Sequence, residues 1–208
     1  MKKNYIASDS AVIAAVMAIS LLISGIFTAV LSEKHIEESL VRLHILANSD
    51  SELDQQLKLR VRDAVLASSD ELFEPYSSSE EAEAALSDQL ERIKAIADST
   101  LAENGCDDRT VCEITSMDID RREYGEYTVP AGRYIALRIT IGEGKGHNWW
   151  CVMYPPLCVP CAGVDMTDEE IMEKYGGELT DEDIELLTEE GYKPRLYIAE
   201  LIGGLLEK

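Results

Sequence analysis

Tyr134-Ile135-Ala136-Leu137-Arg138-Ile139-Thr140-Ile141 is the stretch that decides the fold class. Ile135, Leu137, Ile139 and Ile141 alternate strictly with Tyr134, Ala136, Arg138 and Thr140, and a period of two puts the aliphatic set on one face of a half-buried strand. Downstream, the glycine-rich loop from Gly142 to Gly146 leads into a second short strand, Trp149 to Tyr154. Pro155-Pro156 stops that strand, because proline has no N–H for a ladder. Upstream, residues 111–119 also favour a strand.

Further back the period changes. Val41 to Leu46 reads as a strand with Val41, Leu43 and Ile45 on one face, and residues 48–51 then supply a turn and a helix start. Ser49 with Glu52, and Ser51 with Asp54, both have capping-box spacing. Leu53, Leu57, Val61 and Ala64 or Val65 follow at helical intervals, forming one apolar stripe. After a serine-rich break at residues 77–79, a second helix carries Leu86, Leu90, Ile93, Ala97 and Leu101 on its buried side, and Asn104-Gly105 ends it as a left-handed cap. The order strand, helix, helix, three strands predicts an α/β fold of the α+β kind. Its form is a two-layer sandwich, with helices packed on one face of a largely antiparallel sheet.

The first 32 residues have a different texture. Ala11 to Leu31 is an uncharged run of 21 residues, enough at about 1.5 Å per helical residue to cross a hydrocarbon core of about 30 Å. Lys2, Lys3 and the amino terminus precede it, while Glu33, Lys34, Glu37 and Glu38 follow, so the positive flank stays inside and the rest of the chain is exported. The expectation is therefore a signal peptide or signal anchor over 1–32, an extracytoplasmic domain over 40–160, and an extension over 162–208. With 40 acidic and 19 basic residues the net charge is −21, which repels phosphate backbones and argues against nucleic-acid binding. The extension alone holds 14 acidic and 4 basic residues. It reads as a solvated helical appendage, with helix starts at Thr167 and Thr180 and an amphipathic stretch from Leu196 to Leu206.

Candidate chemistry is thin. The glycine loop is not a phosphate cradle: no helix start follows it, and Lys145 lacks a following Ser or Thr. A hairpin loop needing positive φ is the expectation. Cys151, Cys158 and Cys161 lie close together, and Cys158-Val159-Pro160-Cys161 has C-x-x-C form. The neighbouring prolines disfavour the helix N-terminus a redox thiol needs. Zinc with His147 as a fourth ligand lacks the paired spacing of structural sites. A disulfide is the plainer outcome, with free thiols the alternative. Trp149 and Trp150 point to opposite faces of their strand, one towards the core and the other available as a contact anchor.

Two segments, Arg42 to Val65 and Pro130 to Cys158, taken in this order behind an export segment, resemble the stage II sporulation protein R family, SpoIIR. The resemblance spans about residues 40–160. It implies a signalling protein made in the forespore and exported into the space between forespore and mother-cell membranes. There it would activate a membrane-embedded aspartic protease, SpoIIGA, which processes the transcription factor precursor pro-sigma-E. The motif-matching residues taken as partner-binding are His44, Asn48, Asp50, Asp54, Arg62, Asp63, Glu143, Gly144, Asn148, Trp149 and Trp150. Cys151 and Cys158 are the disulfide candidates; Cys106, Cys112 and Cys161 fall outside the motif. The expected contact site lies where the strand ending near Ala47 meets the Gly142 to Asn148 loop, with Asp50, Glu143 and one tryptophan at its centre.

The resemblance implies no enzyme, no cofactor, no metal and no small-molecule substrate. The competing class is an extracytoplasmic cysteine-dependent hydrolase or thiol oxidoreductase. It would use Cys151 with His147 or His44, or the Cys158/Cys161 pair.

Overall fold

The computed structural model describes residues 3–68, 78–124, 127–155 and 179–188. The chain divides into two units, Met1–His35 with Glu189–Lys208, and Ile36–Thr188. In the first, the described part belongs to helix α1 (Lys3–Ser39). The uncharged run lies on this helix, where Val12, Ile13, Val16, Met17, Ile19, Ile23 and Leu31 are exposed. Among the described residues no helix is long and apolar enough to cross a membrane. Several side chains of the run, at 11, 18, 21–22 and 25–30, lie outside the described set.

The second unit is built on a four-stranded sheet. Its strands are β1 (Val41–Leu46), β2 (Thr110–Ile119), β5 (Gly132–Ile141) and β6 (Asn148–Tyr154), in the spatial order β2-β5-β1-β6. β2 is antiparallel to β5 and β6 antiparallel to β1, while β1 and β5 run parallel in the centre. Parallel neighbours need a crossover. Helices α2 (Glu52–Ala67) and α3 (Ser79–Glu103) provide it. They cover one face of the sheet, where Leu57, Val61, Val65, Leu86, Ile93, Ala97 and Leu101 pack against Val41, Leu43, Ile45, Leu137, Ile139 and Ile141.

The caps form where oxygen-bearing side chains precede each helix. Ser51 accepts the Asp54 N–H at 3.1 Å to open α2, and Ser78 accepts the Glu81 N–H at 3.1 Å to open α3. Gly105, at φ 73°, follows the Asn104 cap of α3 in the left-handed region.

The opposite face is not bare, which corrects the two-layer expectation. A ribbon of β3 (Arg122–Tyr124) and β4 (Tyr127–Val129), together with helix α4 (Asp181–Thr188), contributes to a second apolar cluster. Ile36, Leu40, Ile119, Tyr127, Val129, Tyr134, Val152, Leu179 and Leu187 are buried in it. The compact unit therefore extends beyond 40–160 on both sides, because Ile36 before it and Leu187 after it are core residues. Within the presumed appendage, Thr180 and Asp183 cap α4 reciprocally at 2.8 and 3.2 Å; Thr167 and Leu196 to Leu206 lie outside the described residues.

Two further expectations change. Leu53 is exposed rather than part of the α2 stripe, and Lys58 is buried instead. The Gly142 to Asn148 segment is not a hairpin, since β1 lies between β5 and β6. It arches over the end of β1, and that is what brings it to the residues after Leu46.

Candidate functional site

The arch and the β1–α2 turn are sewn together at the backbone. Gly146 N–H donates to Ala47 C=O at 2.9 Å and Lys145 N–H to Asn48 C=O at 3.0 Å. Asn48 Oδ1 accepts the Glu143 N–H at 2.9 Å, and its amide donates to Asp54 at 3.3 Å. Ser49 also donates to Asp54. Asp50 accepts the His147 N–H at 2.7 Å and contacts the His147 ring. Desolvation pushes the Asp50 carboxyl up, but the His147 N–H and ring, with Lys58 nearby, outweigh it and hold it below its usual value. Lys58 closes the arrangement from below, donating to His147 C=O at 3.0 Å and to Gln55 at 2.6 Å.

The glycines fit the same geometry. Gly142 and Gly144 have φ 55° and 62°, which favours glycine. A Cβ on Gly146 would sit 2.2 Å from Ser49 C=O. Asn48, Asp54 and Gly144 thus have folding roles. Glu143 differs: among the described residues its exposed carboxylate is paired only with exposed Lys145, at 2.8 Å, and that ammonium holds it below its usual value.

A second group lies on the sheet face away from α2 and α3. Register places His44 between Arg138 on β5 and Trp150 on β6. The His44 and Trp150 rings stack at 3.8 Å with 2° between their planes, and Asn148 Oδ1 meets His44 Nε2 at 3.1 Å. Burial pulls the His44 pKa down; the Asn148 bond opposes this and Arg138 adds to it. Among the described residues its buried Nδ1 has no hydrogen-bond partner.

Behind it, Arg42 is fully buried. Its Nε donates to Cys151 C=O at 3.1 Å and Nη2 to Tyr124 Oη at 2.5 Å, while Nη1 has no partner among the described residues. Its charge lies 4.9 Å from the Tyr134 ring and 5.5 Å from that of Tyr124. Desolvation lowers the Arg42 pKa against the opposing effect of both tyrosines. Arg122 lies over Trp150 at 5.9 Å.

The sequence-derived set therefore separates. Asn48, Asp50, Asp54, Glu143 and Gly144 meet at the arch; His44, Asn148 and Trp150 belong to the second face. Trp149 packs towards the helix side, where Arg62 lies over its ring at 4.3 Å and pairs with Asp63 at 2.6 Å. Arg42, Arg122, Arg138, Lys145 and His147 were not among the expected partner-binding residues. An Arg and a His at alternate positions of an otherwise apolar strand, Val41 to Leu46, were the available signal for the first.

Cys151 is disulfide-bonded, whereas Cys106 and Cys112 are free. Cys158 and Cys161 lie outside the described residues. Burial pushes the Cys112 thiol up to about 11, which leaves it a poor nucleophile at neutral pH. Among the described residues no group of three or more His, Cys, Asp or Glu is placed to hold a metal ion.

Residues 37–163 match the family model described as stage II sporulation protein R. Over 150 residues the chain is 39% identical to stage II sporulation protein R of Bacillus subtilis strain 168, covering 67% of each chain. No solved structure matches it.

Proposed function

Since the chain belongs to the stage II sporulation protein R family, we propose that it is an exported sporulation signal that activates the membrane aspartic protease SpoIIGA to process pro-sigma-E. The family match over residues 37–163, which lies inside the compact unit Ile36–Thr188, carries this reading. The remaining observations fit a signal that works by contact. Cys151 is occupied by a disulfide, so it supplies no thiolate for the competing hydrolase. His44 is buried and stacked on Trp150, which suits a structural ring better than a general base in contact with substrate. Export rests on the 21-residue uncharged run and on the apolar side chains that α1 exposes. The Cys151 partner in this reading is Cys158.

Deleting the gene in the sporulating host and blotting for the sigma precursor and its processed form tests the role. The expected outcome is precursor accumulation, reversed by the wild-type chain. Normal processing in the deletion strain would end the activator reading.

A further inference from the structure

In a chain of net charge −21, the second sheet face gathers positive charge with little to balance it. Arg42, Arg122 and Arg138 surround the His44–Trp150 stack. Among the described residues the ion pair that reaches them is Arg138 with Glu113, at 3.5 Å. Positive charge is opposed here: Arg122 acts against the charge of Arg42, and Arg138 against protonation of His44.

Burying a guanidinium without a counter-charge is costly. The tyrosine hydroxyl, the carbonyl and the two rings around Arg42 satisfy part of it without neutralising it. Among the described residues, Arg42 Nη1, Arg122 Nε and Arg138 Nε are buried donors with no partner. Trp150 remains partly exposed beside Arg122.

We propose that this patch is a docking site for an acidic peptide segment of a partner protein, with Arg122 and Arg138 receiving its carboxylates beside Trp150. Arg42 lies too deep to make the contact and supplies positive potential behind it. Arginine suits the task because its fork of N–H donors matches a carboxylate in two bonds. Arginine and tryptophan are also the side chains that most often anchor interfaces. The acidic surface elsewhere repels the same segment, so charge complementarity confines binding to this face. The partner here is defined by its carboxylates, independently of whether it is a protease.

Isothermal titration of the purified full-length chain in neutral detergent tests the site. The probe is the acetylated and amidated peptide Glu-Thr-Leu-Thr-Glu, whose alternate residues share one side when extended. Saturable binding is expected, weakened about tenfold or more by Arg122→Ala, by Arg138→Ala and by exchanging both probe glutamates for glutamines. Circular dichroism melting of each variant identifies any loss of folding, and Arg138→Lys, which keeps the charge without the fork, is expected to bind with intermediate affinity. Absence of saturable binding, equal affinity for the glutamine peptide, or binding indifferent to both arginines would overturn the proposal. Sodium glutarate binding as tightly as the peptide would assign the patch to free dicarboxylates and overturn it as well.

Discussion

Alternate residues of β1 occupy opposite worlds at the same depth. Val41, Leu43 and Ile45 are wholly buried under α2 and α3, and Arg42 and His44 are buried almost as completely on the other side. The first face is held by dispersion and water exclusion among aliphatic groups. The second is held by the His44–Trp150 stack and by two tyrosine rings around the Arg42 guanidinium, and leaves polar atoms without partners among the described residues. Depth of burial therefore does not distinguish the faces; how well polar groups are satisfied does. Apolar residues at 42 and 44 would serve folding alone at least as well, which makes the second face the one to test for binding.

The largest test of that contrast is a pair of substitutions one residue apart. Ile139→Ala, in the centre of the helix-covered face, is expected to cost about 2–5 kcal/mol in urea unfolding. Arg138→Ala, on the other face, should leave the unfolding midpoint nearly unchanged, because its side chain is 36% exposed and its Glu113 pair lies at the surface. Comparable losses would make the second face an ordinary core.

The helix-covered face was the more legible in sequence. Strict alternation from Tyr134 to Ile141 and the Leu86 to Leu101 stripe have one physical reading each, and the sheet and α3 follow from them. Leu53 misled because three- and four-residue spacing fits several helix faces, and only packing selects one. Lys58 was invisible for the complementary reason: its buried position depends on a carbonyl, His147 C=O, that is remote in sequence. Topology was the least legible. Nothing between Ile141 and Asn148 tells that β1 will insert between β5 and β6, so the arch looked like a hairpin. That same arch gives Asn48 and Asp50 bonds that local sequence does not reveal.

A second, smaller effect sharpens the comparison at the arch. Asn48→Ala removes the acceptor of the Glu143 N–H and a donor to Asp54, and should cost about 1–3 kcal/mol. Gly146→Ala should likewise destabilise, because its Cβ would collide with the Ser49 carbonyl oxygen. Unchanged melting in both variants would show that the arch is not anchored by these contacts.

The pH dependence of stability separates the two faces in another way. His44 has a folded pKa below its ordinary 6.5, with burial as the main cause. Between the two pKa values the unfolded chain binds the extra proton, so stability is retained above about 6.5 and falls as pH drops through it. His44→Gln should flatten that part of the stability–pH curve, measured by denaturant unfolding from pH 7.5 to 5. An unaltered slope would place the titration elsewhere.

Glu143→Ala is the smallest expected change in stability and the sharpest functional test. Its neighbours on the arch have folding duties: Asn48 holds the Glu143 backbone and Asp50 holds His147. Among the described residues the Glu143 carboxylate has none beyond an ion pair with equally exposed Lys145. Such pairs contribute little to folding because water screens both partners. Melting and export of the variant should therefore match wild type. If the arch faces the protease, processing of the sigma precursor should be lost in Glu143→Ala and retained in Lys145→Ala, which leaves the carboxylate in place and frees it from its partner. Normal processing in Glu143→Ala would move the contact away from the arch, leaving the arginine-flanked second face as the surface to test.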